Sequence, residues 1–123
     1  MNLNSILIGS ENPQRLAEYY SKLLGKPTMD EGESGYTGWQ LGSGWVTVGP
    51  HDQVKGKNQQ PGRLLWNIES ADVKGDFERL KAAGANVVRE PYSPDGMPDN
   101  APEMLIATFA DPDDNYFQLM SAM

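Results

Sequence analysis

The order of predicted elements repeats once along this chain. The first half begins with a short apolar strand, and a helix follows that Asn12 caps and Gly25 ends. Three short segments separated by glycine and serine come next, a pattern typical of antiparallel strands. The second half repeats strand, helix and three strands, with its helix between Asp72 and Gly84. The sequence therefore predicts two modules of the same build.

A polar segment rich in glycine, proline and glutamine separates the two halves. This segment, residues 51–62, has no apolar periodicity and is interpreted as a linker. The sequence therefore predicts module one at about residues 1–50 and module two at residues 63–123. A chain of 123 residues has the length of a single domain and can bury one compact core.

The charge of the chain limits its partners. The net charge is -7, from 17 acidic and 10 basic residues, and it repels nucleic-acid phosphates and anionic lipid. We therefore expect no nucleic-acid partner and no membrane association, and no apolar run reaches the roughly 20 residues that span a bilayer. The absence of cysteine and of a signal-peptide pattern predicts a cytoplasmic protein.

Two long segments carry a family resemblance. "RLKAAGANVVREP" together with "ATFADPDDNYFQL" resembles the second half of the vicinal oxygen chelate superfamily, which includes glyoxalases, bleomycin-resistance proteins and extradiol dioxygenases. "ILIGSENPQRLAEYYSKLLG" resembles the first half. The resemblance implies an α+β fold in which two βαβββ modules form a curved mixed sheet around a cleft, and it implies a homodimer. Asp114 stands where the family has glycine, so we expect an unusual turn there.

The resemblance also implies where a metal would bind. Family members with a metal place their ligands at four strand positions, which carry over to Asn4, Thr47, Leu65 and Gln118. None of these side chains is an imidazole or a carboxylate, and neutral groups do not compensate the desolvation of a divalent ion. The single histidine, His51, lies in the predicted linker, and cysteine is absent. We therefore predict no metal and no cofactor.

Two carboxylate features are candidates for chemistry. Glu69 would serve as a general base if it were buried in the cleft, although a solvated carboxylate is the simpler interpretation. Asp111, Asp113 and Asp114 have the composition of a surface calcium site. Bonds from Asp111 and Asp113 to backbone N–H groups of a tight turn explain them better. We therefore assign no catalytic residue, and Glu69 stays a weak candidate.

Strand alternation extends the four ligand positions into a predicted binding set. Side chains two residues apart on a strand share a face. The predicted ligand-binding residues on this face are Asn4, Ile6, Trp45, Thr47, Leu65, Asn67, Tyr116, Gln118 and Met120, and Trp39 is expected to stand across from them. Flat rings beside amides suit a planar organic molecule, and the negative charge of the chain favours a cationic one. Packing explains Trp45 and Tyr116 equally well. It is the better interpretation for four other rings, those of Trp66, Phe77, Phe109 and Phe117.

Three functions stay open at this point. The favoured one is a metal-independent protein that binds a small molecule and sequesters a hydrophobic or cationic aromatic compound. The alternative is a glyoxalase-like lyase, isomerase or dioxygenase with an unusual metal site, and the second alternative is a non-catalytic interaction module. Residues 92–102 contain three prolines, which fits either a lid over the cleft or a stiffened surface connection.

Overall fold

The computed structural model describes residues 1–94 and 104–122. The chain divides into two compact units, Met1–Lys57 and Asn58–Met123, so that the boundary falls inside the predicted linker. Within the described residues, each unit contains one α-helix and one four-stranded sheet. The predicted α+β class and the βαβββ order of each module are confirmed. The lid hypothesis for residues 92–102 falls mostly outside the described residues.

Unit 1, Met1–Lys57, follows the predicted order. Its elements are β1 (Ser5–Ser10), α1 (Pro13–Leu24), β2 (Met29–Asp30), β3 (Thr37–Leu41) and β4 (Gly44–Pro50). The strands lie in the order β1-β4-β3-β2, with β1 parallel to β4 and the other pairs antiparallel.

Local signals at both ends define α1. The Asn12 side-chain oxygen accepts the Arg15 backbone N–H at 3.2 Å, which satisfies a donor that the first helical turn leaves without a partner. Gly25 ends the helix with a φ of 89°, and its N–H donates to the Ser21 carbonyl at 3.0 Å. One face of the helix is buried, through Leu16, Tyr20 and Leu23.

Unit 2, Asn58–Met123, repeats this order. Its elements are β5 (Trp66–Glu69), α2 (Val73–Ala82), β6 (Asn86–Tyr92), β7 (Ile106–Ala110) and β8 (Tyr116–Met120). The strands lie in the order β5-β8-β7-β6, with β5 parallel to β8 and the other pairs antiparallel. A turn of 3-10 helix, Pro61–Arg63, precedes β5, which begins at Trp66.

An aromatic stack joins α2 to its sheet. The ring centroids of Phe77 and Phe109 lie 5.5 Å apart, those of Phe109 and Phe117 5.4 Å, and those of Phe117 and Trp66 5.5 Å. All four side chains are buried, which confirms their prediction as core residues. In the described ranges, neither α1 nor α2 combines the length and the apolar character needed to cross a membrane.

The acidic turn between β7 and β8 is held by one buried carboxylate. One oxygen of Asp111 accepts the backbone N–H groups of Asp113 and Asn115 at 2.9 and 3.0 Å, and both oxygens accept from the Asn115 amide. For Asp111, bonding to the backbone of a tight turn is therefore confirmed. Asp114 adopts a φ of 61°, which confirms the unusual backbone expected where the family has glycine.

Each half of the predicted linker packs on the nearer unit. The side chains of His51 and Val54 lie against β1 at Gly9, where a Cβ atom would come within 3.0 and 3.2 Å of them. The Asn58 N–H donates to the Asp113 carbonyl at 2.8 Å, and its side-chain amide donates to Asn115 Oδ1 at 3.2 Å. Residues 51–62 are therefore anchored at both ends.

Candidate functional site

Each sheet has one face against the helix of its own unit and one face that points away from it, which we call the open face. In unit 1 the helix side is marked by Ile8, Val46 and Val48, which are buried. In unit 2 it is marked by Phe109 and Phe117, next to Phe77 of α2. Because side chains alternate along a strand, the register then assigns every other strand residue to a face.

The open face of unit 1 carries Trp45 and Thr47. Both residues alternate with Val46 and Val48 of the helix side, and both are half-buried. The neighbouring strands extend this face, because Ser5 pairs with Trp45, and Leu7 pairs with Thr47. Leu7 is 51% exposed, which is high for a leucine in a strand.

Three side chains of this face meet over Gly38. A Cβ atom added there would lie 3.3 Å from Met29 Cε, 3.4 Å from Thr47 Oγ1 and 3.5 Å from Trp45 Cε3. Glycine therefore lets a thioether, a hydroxyl and an indole ring close over the backbone of β3. The sequence analysis did not predict the part played by Met29, because β2 has only two residues and no visible alternation.

Two residues of the predicted binding set lie on the helix side instead. Ile6 and Trp39 both pair with Val46, so they do not share the face of Trp45 and Thr47. Trp39 is 2% exposed, and its ring centroid lies 6.3 Å from that of Tyr20 on α1. The Trp39 indole N–H donates to the Gly25 carbonyl at 2.9 Å. The prediction that Ile6 shares the face of Trp45 is therefore wrong, and Trp39 packs in the core against α1 and not on the open face.

Asn4 is also out of phase with the open face. It precedes β1 and is exposed, and the register assigns Ser5 to the face of Trp45. The physical reason is that β1 carries aliphatic side chains on both faces, so that composition does not reveal its phase. Leu7, which the sequence analysis did not select, takes the place expected for Ile6.

The open face of unit 2 brings the predicted strand residues together. Asn67 pairs with Gln118, and Tyr116 and Met120 alternate with the buried Phe117 and Leu119. Leu65 is half-buried and lies just before β5, in phase with Asn67. Their common face follows from the register, and their role in ligand binding stays a prediction.

A row of polar side chains crosses all four strands of this face. The register pairs Asn67 with Gln118, Gln118 with Thr108, and Thr108 with Arg89. The Gln118 side-chain N–H donates to Thr108 Oγ1 at 2.9 Å, so that the amide plane is fixed and its carbonyl oxygen is directed away from that bond. We call these four residues the polar row.

Arg89 is the member of the polar row that the sequence analysis missed. Its Cζ lies 3.4 Å from the centroid of the Tyr92 ring, a cation–π contact on the open face. The two residues are three apart and would point to opposite faces of a regular strand. Register shifts between Val87 and Arg89 and between Arg89 and Tyr92 bring them to the same face. Pro91 is the one signal of irregularity in "NVVREPY", and it does not give the positions of the two shifts.

The metal positions that the resemblance implies do not fit a divalent ion. Among the described residues, no three histidine, aspartate or glutamate side chains form a group that could hold one. Gln118 offers a neutral amide that is bonded to Thr108, and Leu65 offers no donor atom. Glu69 pairs with Met120 at the end of β5, where it is exposed.

Two open cavities in unit 1 lie away from the predicted set. One, of about 520 Å³, is lined by Tyr36, His51 and neighbouring residues, and His51 Nδ1 accepts the Gln53 N–H at 3.2 Å. The other, of about 860 Å³, runs along α1 and is lined mainly by polar residues that include four carboxylates: Glu11, Glu18, Asp30 and Glu33. The acidic run near residue 30 was the available sequence signal for the second cavity.

Comparison with known proteins assigns the family. Residues 5–120 match the model of a glyoxalase-like domain, which is nearly the whole chain. The protein belongs to the glyoxalase-like domain family. The suspected membership of the vicinal oxygen chelate superfamily is thereby confirmed, together with the fold class. Among curated proteins, none matches this chain.

Solved structures share the fold of this glyoxalase-like protein over its full length. A glyoxalase/bleomycin resistance protein/dioxygenase family enzyme from Burkholderia phytofirmans has 17% identity and a TM-score of 0.72, with 100% of both chains covered. A glyoxalase-related enzyme from Fulvimarina pelagi has 20% identity and a TM-score of 0.70, covering 99% of this chain and 88% of that one. TioX from a Micromonospora species has 15% identity and a TM-score of 0.74, with 100% of both chains covered.

Proposed function

We propose that this glyoxalase-like protein binds a planar aromatic compound, hydrophobic or cationic, on its open faces and without a metal ion. One repeated arrangement carries the proposal. The last strand of each unit presents a ring and, two residues later, a neutral polar side chain on its open face: Trp45 and Thr47 on β4, and Tyr116 and Gln118 on β8. Stacking on the rings supplies affinity, and the polar groups orient the ligand.

The charge of the protein supports the cationic option. A net charge of -7 draws cations toward the protein surface, and an indole ring attracts a cation to its face. Trp45 is half-buried, and its ring lies over the backbone at Gly38. Because these contacts already restrict the side chain, it loses little conformational entropy when a ligand stacks on it. These features favour reversible binding of an intact compound.

The names of similar structures support sequestration as the purpose of binding. One similar structure is named for a family that joins glyoxalases, bleomycin-resistance proteins and dioxygenases. Two of those activities are enzymatic, and the third name denotes resistance to a compound. Two of the implied ligand positions hold Leu65, which has no donor atom, and Gln118, whose neutral amide is bonded to Thr108. These side chains favour the resistance-type role over metal catalysis.

A thermal-shift screen tests this proposal. We expect planar aromatic compounds to raise Tm by mass action, and Zn²⁺, Ni²⁺, Mn²⁺ and Fe²⁺ to leave it unchanged. The shift from a binding compound should shrink in Trp45→Ala and persist in Tyr19→Ala, a matched loss of a half-buried ring on α1. A stabilising response to nickel or manganese that disappears in Gln118→Leu would instead support a metal-dependent enzyme.

The proposal includes a homodimer that works in the cytoplasm, as the resemblance and the sequence pattern imply. Light scattering of the purified chain checks the assembly, with twice the chain mass expected across micromolar concentrations. A mass that stays at one chain would remove the dimer without touching the binding proposal, because Trp45, Thr47, Tyr116 and Gln118 all lie within single units.

A further inference from the structure

We infer that the ligand of unit 2 has two unlike ends, a cationic or N–H donor end over β5 and an oxygen acceptor end over β6. This inference rests on the proposed function, because it names the chemistry of a compound that the open face would bind. It concerns the polar row, which ends in Arg89, and Glu69 beside it. The class is a planar aromatic compound that carries an amine at one end and a carboxylate or carbonyl oxygen at the other.

The charges of the open face are divided between its two edges. Among the strand positions that the register pairs on this face, the charged residues are Glu69 on β5 and Arg89 on β6. Glu90, next to Arg89, lies on the helix side, where it lines a small cavity with Lys74 and Phe77 of α2. The open face therefore has a negative end and a positive end.

The neutral groups between the edges follow the same polarity. One N–H of the Gln118 amide donates to Thr108, and the amide carbonyl oxygen stays available as an acceptor on the side of β5. Thr108 accepts that bond and is itself buried, so it fixes the orientation of the Gln118 amide. A ligand donor near Asn67 and Gln118 and a ligand acceptor near Arg89 would both be satisfied.

Arg89 is prepared for an oxygen acceptor. Its guanidinium group is held 3.4 Å over the Tyr92 ring, which fixes the plane of its N–H donors before a ligand arrives. Among the described residues, no carboxylate forms a salt bridge with Arg89. A planar guanidinium of this kind pairs with a carboxylate through two parallel hydrogen bonds and with a ring carbonyl through one.

The strand spacing sets the length of the ligand. Residues of β5 and β6 are separated by three interstrand steps of about 4.8 Å, which gives roughly 14 Å between the two edges. A fused three-ring system with one polar group at each end approaches this length. A single ring with adjacent polar groups could engage only one edge.

Three acridine compounds test the inference by titration calorimetry: one with an amine only, one with a carboxylate only and one with both groups at opposite ends. We expect the two-ended compound to bind most tightly. Arg89→Gln should weaken the carboxylate-bearing compounds about tenfold and leave the amine-only compound unchanged. Glu69→Gln should weaken the amine-bearing compounds and leave the carboxylate-only compound unchanged.

Matched controls are available on the helix side of the same unit. Arg79→Gln and Glu90→Gln make the same chemical changes away from the open face, and we expect both to leave all three affinities unchanged. Two results would overturn the two-ended ligand. In the first, Arg89→Gln or Glu69→Gln weakens the binding of all three compounds equally. In the second, only one of these two variants discriminates between the compounds. If the wild type binds none of the compounds, the proposed function falls as well. If Tyr116→Ala weakens binding while Arg89→Gln and Glu69→Gln do not, only the present inference falls.

Discussion

The two tryptophans of unit 1 give a sharp test of the strand register. Trp39 is 2% exposed on the helix side, whereas Trp45 lies half-buried on the open face. A fully buried tryptophan removes about 200 Å² from water, which is worth about 5 kcal/mol at 25 cal/mol per Å². Alanine keeps part of that burial, so we expect Trp39→Ala to cost about 4 kcal/mol. Trp45→Ala should cost about 1–2 kcal/mol, because the ring keeps contact with solvent and stands over an open face.

Urea unfolding followed by far-UV circular dichroism measures the difference. The midpoint should fall much further for Trp39→Ala than for Trp45→Ala, with the m-value unchanged in both. If Trp39→Ala does not fold, Trp39→Phe keeps most of the apolar contact and loses the bond to the Gly25 carbonyl, for an expected cost of about 1–2 kcal/mol. Equal costs for the two alanine variants, or a larger one for Trp45→Ala, would refute the assignment of the two faces.

Three further variants test local features through the same unfolding measurement. Gly49→Ala should cost about 1–3 kcal/mol because an added Cβ would collide with the Tyr36 ring, whereas Gly62→Ala, where nothing lies within 4 Å, should change stability by less than about 1 kcal/mol. A neutral result for Gly49→Ala would contradict the placement of that ring. Asp111→Asn should cost about 1–3 kcal/mol because a buried carboxylate then loses charge-assisted bonds to the turn; a loss no larger than that of an exposed aspartate would speak against it. At Asp114, with a φ of 61°, alanine should cost about 1 kcal/mol and glycine should cost nothing, and the reverse order would exclude the left-handed backbone.

The fold was predictable because its signals are local. Asn12 and Asp72 cap their helices through side-chain oxygens 3.2 and 3.0 Å from backbone N–H groups, and each cap precedes a helix with one buried face. Cap and periodicity agree in both units, so the order of elements follows from the sequence alone. The repeat of that order then selects the βαβββ module.

The phase of a strand was predictable only where its two faces differ in polarity. In β8, Gln118 interrupts the strongly apolar Phe117 and Leu119, so the open face can be read from the sequence. In β1, both faces carry aliphatic residues, and the assignment of Ile6 slipped by one position. The place of Arg89 depends on two register shifts in β6, which come from pairing with a distant strand. Pro91 marks an irregularity in this strand, but local composition does not give the position of the shifts.

The irregular backbone of β6 also bears on how the protein behaves at high concentration. This strand is the last in the order of its sheet and exposes Val87 and Val88, at 38% and 45%. A regular edge of that composition would recruit strands from other molecules and favour aggregation. The shifts that turn Arg89 toward the open face interrupt the row of backbone donors, and Pro91 removes one of them entirely. One distortion thus places Arg89 on the open face and interrupts the edge that intermolecular pairing would need.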